Sequence, residues 1–165
     1  MPTKKKDDTK DHVKVRGFFR VHILRNGKIV GDTGWKPNQV VNLGFDQYLA
    51  QTLAGMAGSK TVSYVALGTG GAPGATDTSL AGEITHATDS RKTVSPSTIA
   101  SKTTQFTAAF LSSDSYVTAS ANLSNIGLFN TSTTSGGTIF AGNTYTSSSV
   151  ATNQNVNVTY QIRFS

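Results

Sequence analysis

Residues 66–84, ALGTGGAPGATDTSLAGEI, bring five glycines and an Asp-Thr pair to the end of an apolar run. A glycine-rich turn opening a helix can cradle phosphate, because its backbone N–H groups converge and no side chain blocks the approach. The dinucleotide fingerprint needs G-x-G-x-x-G, and here Gly68-Thr69-Gly70-Gly71-Ala72 is followed by Pro73, so the third glycine is missing. A Walker A loop needs Gly-Lys-Ser/Thr, and no lysine lies between Lys60 and Lys92. Gly68, Gly70, Gly71 and Pro73 therefore read as a wide turn with unusual backbone angles, shaping a corner of the domain. Asp77 reads as the cap of a short turn or helix containing Leu80, Ala81 and Ile84.

The remaining reactive residue types give no complete site. Glu83 is the single glutamate, and with His86 three positions on it makes half of a metal site at most. His12 and His22 fall on the polar parity of an alternating segment, where solvent or an interface is the plain expectation. No G-x-S-x-G elbow surrounds any serine, and with no cysteine there is no thiolate chemistry or disulfide framework. Asn122-Leu-Ser, Asn130-Thr-Ser and Asn157-Val-Thr match the glycosylation triplet, but no secretory signal accompanies them. The expectation is a chain without catalytic residues, cofactor or metal.

The elements that must position these residues are mostly strands. In HVKVRGFFRVHIL, Val13, Val15, Phe19, Val21 and Ile23 share one parity, with Lys14, Arg16, Arg20 and His22 on the other. Arg25-Asn26-Gly27-Lys28 predicts a type I′ hairpin, and Ile29-Val30 begins the return strand before Gly31-Asp32-Thr33-Gly34 loosens it. Further strands are expected at 61–67, 103–111, 121–129, 138–145 and from Val156 to Phe164, with turns at 112–115 and 131–137. One helix is expected at about 43–54, capped by Asn42, closed by Gly55 and carrying Phe45, Tyr48, Leu49 and Leu53 at helical spacing. Its narrow stripe suits a cover over one side or end of a sheet. The pattern predicts a mainly β, antiparallel β-sandwich (jelly-roll or Ig-like) at 12–165, with one covering helix and a basic arm at 1–11.

Charge is unevenly placed. The 165 residues carry a formal net charge of +6. All of it lies within the first 36 residues, where ten Lys/Arg face four Asp, while the rest carries five of each sign. Such asymmetry points to an arm that meets an acidic partner through Lys4, Lys5, Lys6, Lys10, Lys14 and Arg16. Nucleic acid is not the expected partner, since no aromatic-interleaved basic pattern or nucleic-acid fold signature is present. No stretch approaches the roughly 18 apolar residues of a membrane helix, so a soluble chain is expected.

The order GWKPNQVVNLGFDQYLAQTLAG, YVALGTGGAPGATDTSLAGEI, FTAAF, NLSNIGLFN, GGTIFA and VNVTYQIRFS resembles a family of small tailed-bacteriophage virion proteins, over roughly residues 34–165. Members occur among tail-fibre or collar-like proteins and among capsid-associated ones. The resemblance implies a β-rich building block with no catalytic residue to carry over. Its most specific pieces are 66–70 with Asp77, Thr78 and Glu83, and 126–129 with 136–138. Such proteins often place an arginine soon after the Glu-Ile pair, whereas here Thr85-His86 follows and Arg91 comes later, which puts the local loop conformation in question.

No fibre-type repeat is present. A compact domain with a basic arm fits a capsid decoration (cement) protein on the virion, binding the major capsid protein as a homo-oligomer, with a homotrimer expected. The alternatives are a tail-fibre, collar or baseplate component, with 112–115 and 131–137 exposed for contacts, or a surface carbohydrate-binding module using Trp35 and the tyrosines.

Overall fold

A computed structural model describes residues 13–85, 90–134 and 136–165. Strict alternation gives β1 (Val15–Arg25) its two faces, with Phe19, Val21 and Ile23 buried and Arg16 exposed. Asn26 and Gly27 both adopt positive φ, as the Asn-Gly pair dictates, and turn the chain into β2 (Lys28–Asp32). β3 (Lys36–Val40) leaves β2 behind and returns along the other end of β1, pairing Gly17 with Asn38. Asn38 accepts from the Tyr160 hydroxyl, and a Cβ on Gly17 would collide with its side chain.

The helix follows in two pieces, a π-wound segment Gly44–Ala50 and an α-turn Gln51–Leu53. No side-chain bond caps it, so Asn42 does not play the role expected; its backbone N–H instead donates to the Ala75 carbonyl. Gly55 closes it at φ 63°, with Met56 N–H reaching Gln51 O and Gly55 N–H reaching Thr52 O, the paired bonds of a Schellman end. A π-winding turns less per residue than an α-helix, so the expected stripe splits. Tyr48 is buried and Leu49 half-buried, while Leu53 is 91% exposed.

The remaining strands are β4 (Tyr64–Gly68), β5 (Arg91–Thr93), β6 (Ser95–Ala100), β7 (Thr103–Phe110), β8 (Ala121–Phe129), β9 (Ile139–Val150) and β10 (Asn155–Phe164). All pairings are antiparallel, in the order β5-β4-β8-β9-β3-β1-β10-β7-β6, with β2 also on β1. The mainly β, antiparallel expectation holds. The strands form one sheet rolled almost to closure as a barrel, with β3 joining its two halves. The turn expected at 112–115 is a single 3-10 turn, Ser112–Asp114, ended by Ser115 in the left-handed region. No helix among the described residues is long and apolar enough to cross a membrane.

The interior of the roll is one core, including Phe19, Tyr160, Phe110, Tyr116, Leu123, Leu128 and Phe140. A second, smaller core of Val41, Ala66, Leu80, Phe129 and Ile139 lies apart from it. Alternation explains the pair. Along β4, Val65 and Leu67 serve the main core while Ala66 serves the second. The β4–β8–β9 half is therefore buried on both faces, and the β1–β10–β7 half on one.

Candidate functional site

The glycine-rich stretch does not simply leave β4 at a corner. It makes an excursion and comes back along the same strand. Thr69 N–H donates to Gly82 O at 3.0 Å, Gly70 N–H to Ala81 O at 3.1 Å and Ile84 N–H to Leu67 O at 3.0 Å, while Glu83 bridges Gly68. The excursion packs over β8 and β9. Buried Asn125 donates through Nδ2 to both Gly71 O (2.9 Å) and Ala81 O (2.8 Å), Ser124 donates to Gly70 O, and Ile139 N–H donates to Thr78 O. Pro73 is buried against the bare backbone of Gly142, where a Cβ would stand 2.8 Å from its ring.

This corrects the expected role of the glycines. None of Gly68, Gly70 and Gly71 has a positive φ; Gly82 does, at 62°. What Gly68 and Gly70 supply is room. A Cβ on Gly70 would lie 2.4 Å from Ala81 O, and one on Gly68 would lie 2.8 Å from Gly82 O, whereas Gly71 faces open space. Asp77 caps no helix, since only turns and bends follow it. Its Oδ2 accepts from Gly74 N–H at 2.9 Å, and its own N–H donates to Gly74 O, which closes a local turn. The N–H groups of Thr69, Gly70 and Gly74 are thus committed internally, and the loop offers no phosphate cradle built on them.

At the base of the excursion sits the feature that sequence reasoning missed. Glu83 bridges β4 at Gly68, and Arg91 pairs with β4 at Ala66. Two positions apart on one strand edge, their side chains emerge on the same face. Arg91 Nε donates to Glu83 Oε1 at 2.6 Å and Nη2 to Oε2 at 2.9 Å, with the side chains 0% and 5% exposed. Nη1 donates to the carbonyls of Thr131 (3.1 Å) and Gly136 (2.9 Å), and the guanidinium lies 3.6 Å from the Phe129 ring centroid. Both Glu83 oxygens are occupied by Arg91, so the carboxylate is spent on structure and is no general base. The arginine placed late in the sequence reaches the Glu-Ile pair after all, because β4 brings the two segments side by side. Its signal was the lone glutamate, which in a buried setting requires a cation.

The other expected residues are dispersed. Lys4, Lys5, Lys6, Lys10, His12 and His86 lie outside the described residues. Lys14 and Arg16 are exposed on the outer face of the roll, at the start of β1. His22 stands on that face too, its Nε2 3.4 Å from Asp32 Oδ1. Asp32 also receives Arg20 through both oxygens, and the Arg20 bond, followed by the Gly34 N–H, holds its carboxyl well below the usual carboxylate range. Trp35 is 44% exposed. Asp114 pairs with Lys92 at 3.0 Å; burial raises its pKa, but the Leu111 N–H and Lys92 outweigh this and hold it below its ordinary value.

Two apolar recesses flank the helix. One, of about 350 Å³, opens toward the core between Tyr48, Leu49, Phe106, Phe140, Ile162 and Phe164. The other, of about 560 Å³, runs between Val13, Val15, Phe45, Leu53 and Phe164. Neither holds an acid–base pair. Among the described residues no group of three His, Asp or Glu could hold a metal ion.

Two expected outcomes follow from the loop and its anchor. Arg91→Met leaves Glu83 buried and unpaired, and breaking such a pair costs about 3–5 kcal/mol; Arg91→Lys restores charge but not the two-pronged bond and recovers only part of it. In urea titrations the Arg91→Met and Glu83→Gln losses should be strongly non-additive in the double variant; additive losses would mean that the two residues act separately. Gly70→Ala should cost about 1–3 kcal/mol by overpacking, whereas Gly71→Ala should stay within about 0.5 kcal/mol of the parent. Equal urea midpoints for the two variants would show that the loop does not press on Ala81.

No protein-family model, no curated protein and no solved structure matches the chain.

Proposed function

We propose that this chain is a non-enzymatic structural protein of a tailed-bacteriophage virion, a capsid decoration (cement) protein that binds the major capsid protein as a homo-oligomer, a trimer. In this reading the two halves of the rolled sheet act as a sandwich-like block, and the N-terminal arm lies across neighbouring capsid subunits. The observation that carries the reading is the division of charge. Glu83, Asp32 and Asp114 are each held in an ion pair, while Lys14 and Arg16 stand exposed where the chain emerges from the basic arm. Polar groups that an enzyme would present in a cleft are instead spent on internal fastening. Lys14 and Arg16, outside those pairs, are left for an external acidic surface.

Self-association has edges to use. Among the described residues, β6 is exposed along its whole length and unpaired on its outer side, and β2 pairs only with β1. Free edges invite strand addition, with main-chain hydrogen bonds supplying more than charge does. Exposed ion pairs contribute about 0–1 kcal/mol each and are salt-screened.

The alternative position is the tail, as a fibre, collar or baseplate component. Gold-labelled antibody on whole particles separates the two: label in a lattice over the head supports decoration, and label confined to the tail moves the protein there. For decoration, deleting residues 2–11 should weaken binding to undecorated heads at physiological salt. Unchanged binding would remove the arm from the interface.

A further inference from the structure

The outer face of β1 and β10 carries a second part of the basic surface, and it is not in the arm. In the β1–β10 register Arg16 stands directly opposite Arg163. Like charges placed directly opposite each other across an antiparallel pair are destabilising, and among the described residues neither arginine has a carboxylate within ion-pair distance. Lys14 follows on the same face of β1, one pleat on, hydrogen-bonded through its backbone to Ser165. Lys102, in the β6–β7 turn, accepts at its carbonyl from Phe164 N–H, so its backbone adjoins this end of β10. Four cations therefore gather at one end of the sheet, at the point where the basic arm joins.

Arg163 is also held in place. Its Nη2 donates to Gln161 Oε1 at 2.7 Å, and Gln161 Nε2 donates in turn to Gln105 Oε1 at 3.0 Å. The guanidinium lies 4.7 Å from the Phe18 ring centroid. Gln161 is only 6% exposed although it faces outward, so this row is packed. Nε and Nη1 of Arg163 have no partner among the described residues. A guanidinium fixed on one side and open on the other is preorganised for a carboxylate, since little side-chain freedom remains to be lost on binding.

We propose that Arg163 and Arg16, with Lys14 and Lys102, form a binding surface for carboxylate side chains displayed by another protein. Carboxylate fits better than nucleic-acid phosphate. The cluster is short, the next row is neutral (Gln161 between Phe18 and Gln105), the row beyond it holds an arginine, Arg20, already paired with Asp32, and Phe18 is covered by Arg163 and so offers no stacking platform for a base. The assignment rests on the decoration reading only for which particle carries the acidic protein.

The test uses the full chain and two probes, poly-L-glutamate and double-stranded DNA, in fluorescence anisotropy at low and physiological salt. Poly-L-glutamate should bind more tightly than DNA. Arg16→Gln/Arg163→Gln should weaken poly-L-glutamate binding on the order of tenfold, as the loss of two exposed pairs allows. The single variant Arg16→Gln removes a side chain with no partner among the described residues; it keeps the fold and should lose several-fold. Unchanged poly-L-glutamate binding in both variants overturns the proposal, and so does tighter binding of DNA that the same substitutions abolish. If poly-L-glutamate binding falls while binding to undecorated heads does not, the carboxylate surface stands and its acidic partner is not the head.

Discussion

The buried pairing of Arg91 with Glu83 is the constraint on which the β4–β8–β9 half of the molecule depends. Four segments meet at one guanidinium: the return leg of the glycine-rich excursion through Glu83, β5 through Arg91 itself, β8 through Phe129, and the 131–136 stretch through two carbonyls. Taking two charges out of water is costly, and their attraction repays that cost only with good geometry and every remaining donor satisfied. Here a planar fork meets a carboxylate at 2.6 and 2.9 Å, and Nη1 is satisfied by main-chain oxygens. An ammonium could not reach all four acceptors and lie flat on a ring at once.

That fixed base allows the excursion to act as a lid over a sheet face. The face is made smooth for it: Gly127 and Gly142 are opposite each other on β8 and β9, and Gly68 ends β4 beside Asn125. Leu80 then joins Ala66, Phe129 and Ile139 in the second core. The cost of bringing main chain so close is that its carbonyls need donors, which Asn125 and Ser124 provide. In this half of the roll both faces of the sheet are covered, one by the core and one by the excursion. The one-sided half, β1, β10 and β7, instead turns outward rows that are polar, with cations on β1 and β10.

Periodicity carried much of this in the sequence. The single-parity runs from Val15 to Ile23 and from Val156 to Phe164 are β1 and β10 paired residue for residue, and Asn26-Gly27 is the hairpin. β8 has the bounds its apolar pattern predicts. The misses share a cause, since they are places where tertiary partners override local signal. β5 and β6 are polar, and β6 is exposed throughout, so no alternation marks them; β6 is held by its ladder with β7. The π-winding of the helix is invisible at the residue level. The Glu83–Arg91 pair spans eight positions and exists only because both segments dock on one edge of β4. Asp77 resembles a helix cap because the same oxygen-to-backbone bond serves turns.

The functional reading follows from how weak each outward interaction is. Exposed arginine–carboxylate pairs contribute little singly and less in salt, so a face of four cations cannot hold a monomer firmly on an acidic surface. Linking copies changes the balance, because each further contact becomes intramolecular and is governed by effective concentration. Among the described residues β2 and β6 have unpaired edges, and if copies associated through them, as the proposed role requires, the cationic end would be repeated in fixed orientation. The stacking of Arg163 on Phe18 contributes in the same direction: a rigid charge repeated by symmetry loses less entropy on binding than a mobile one. On this reasoning the interior ion pair and the exterior arginines serve a common end. The first keeps the block from deforming, and under the proposed decoration role only an undeformed block would present the second in register with a repeating capsid surface.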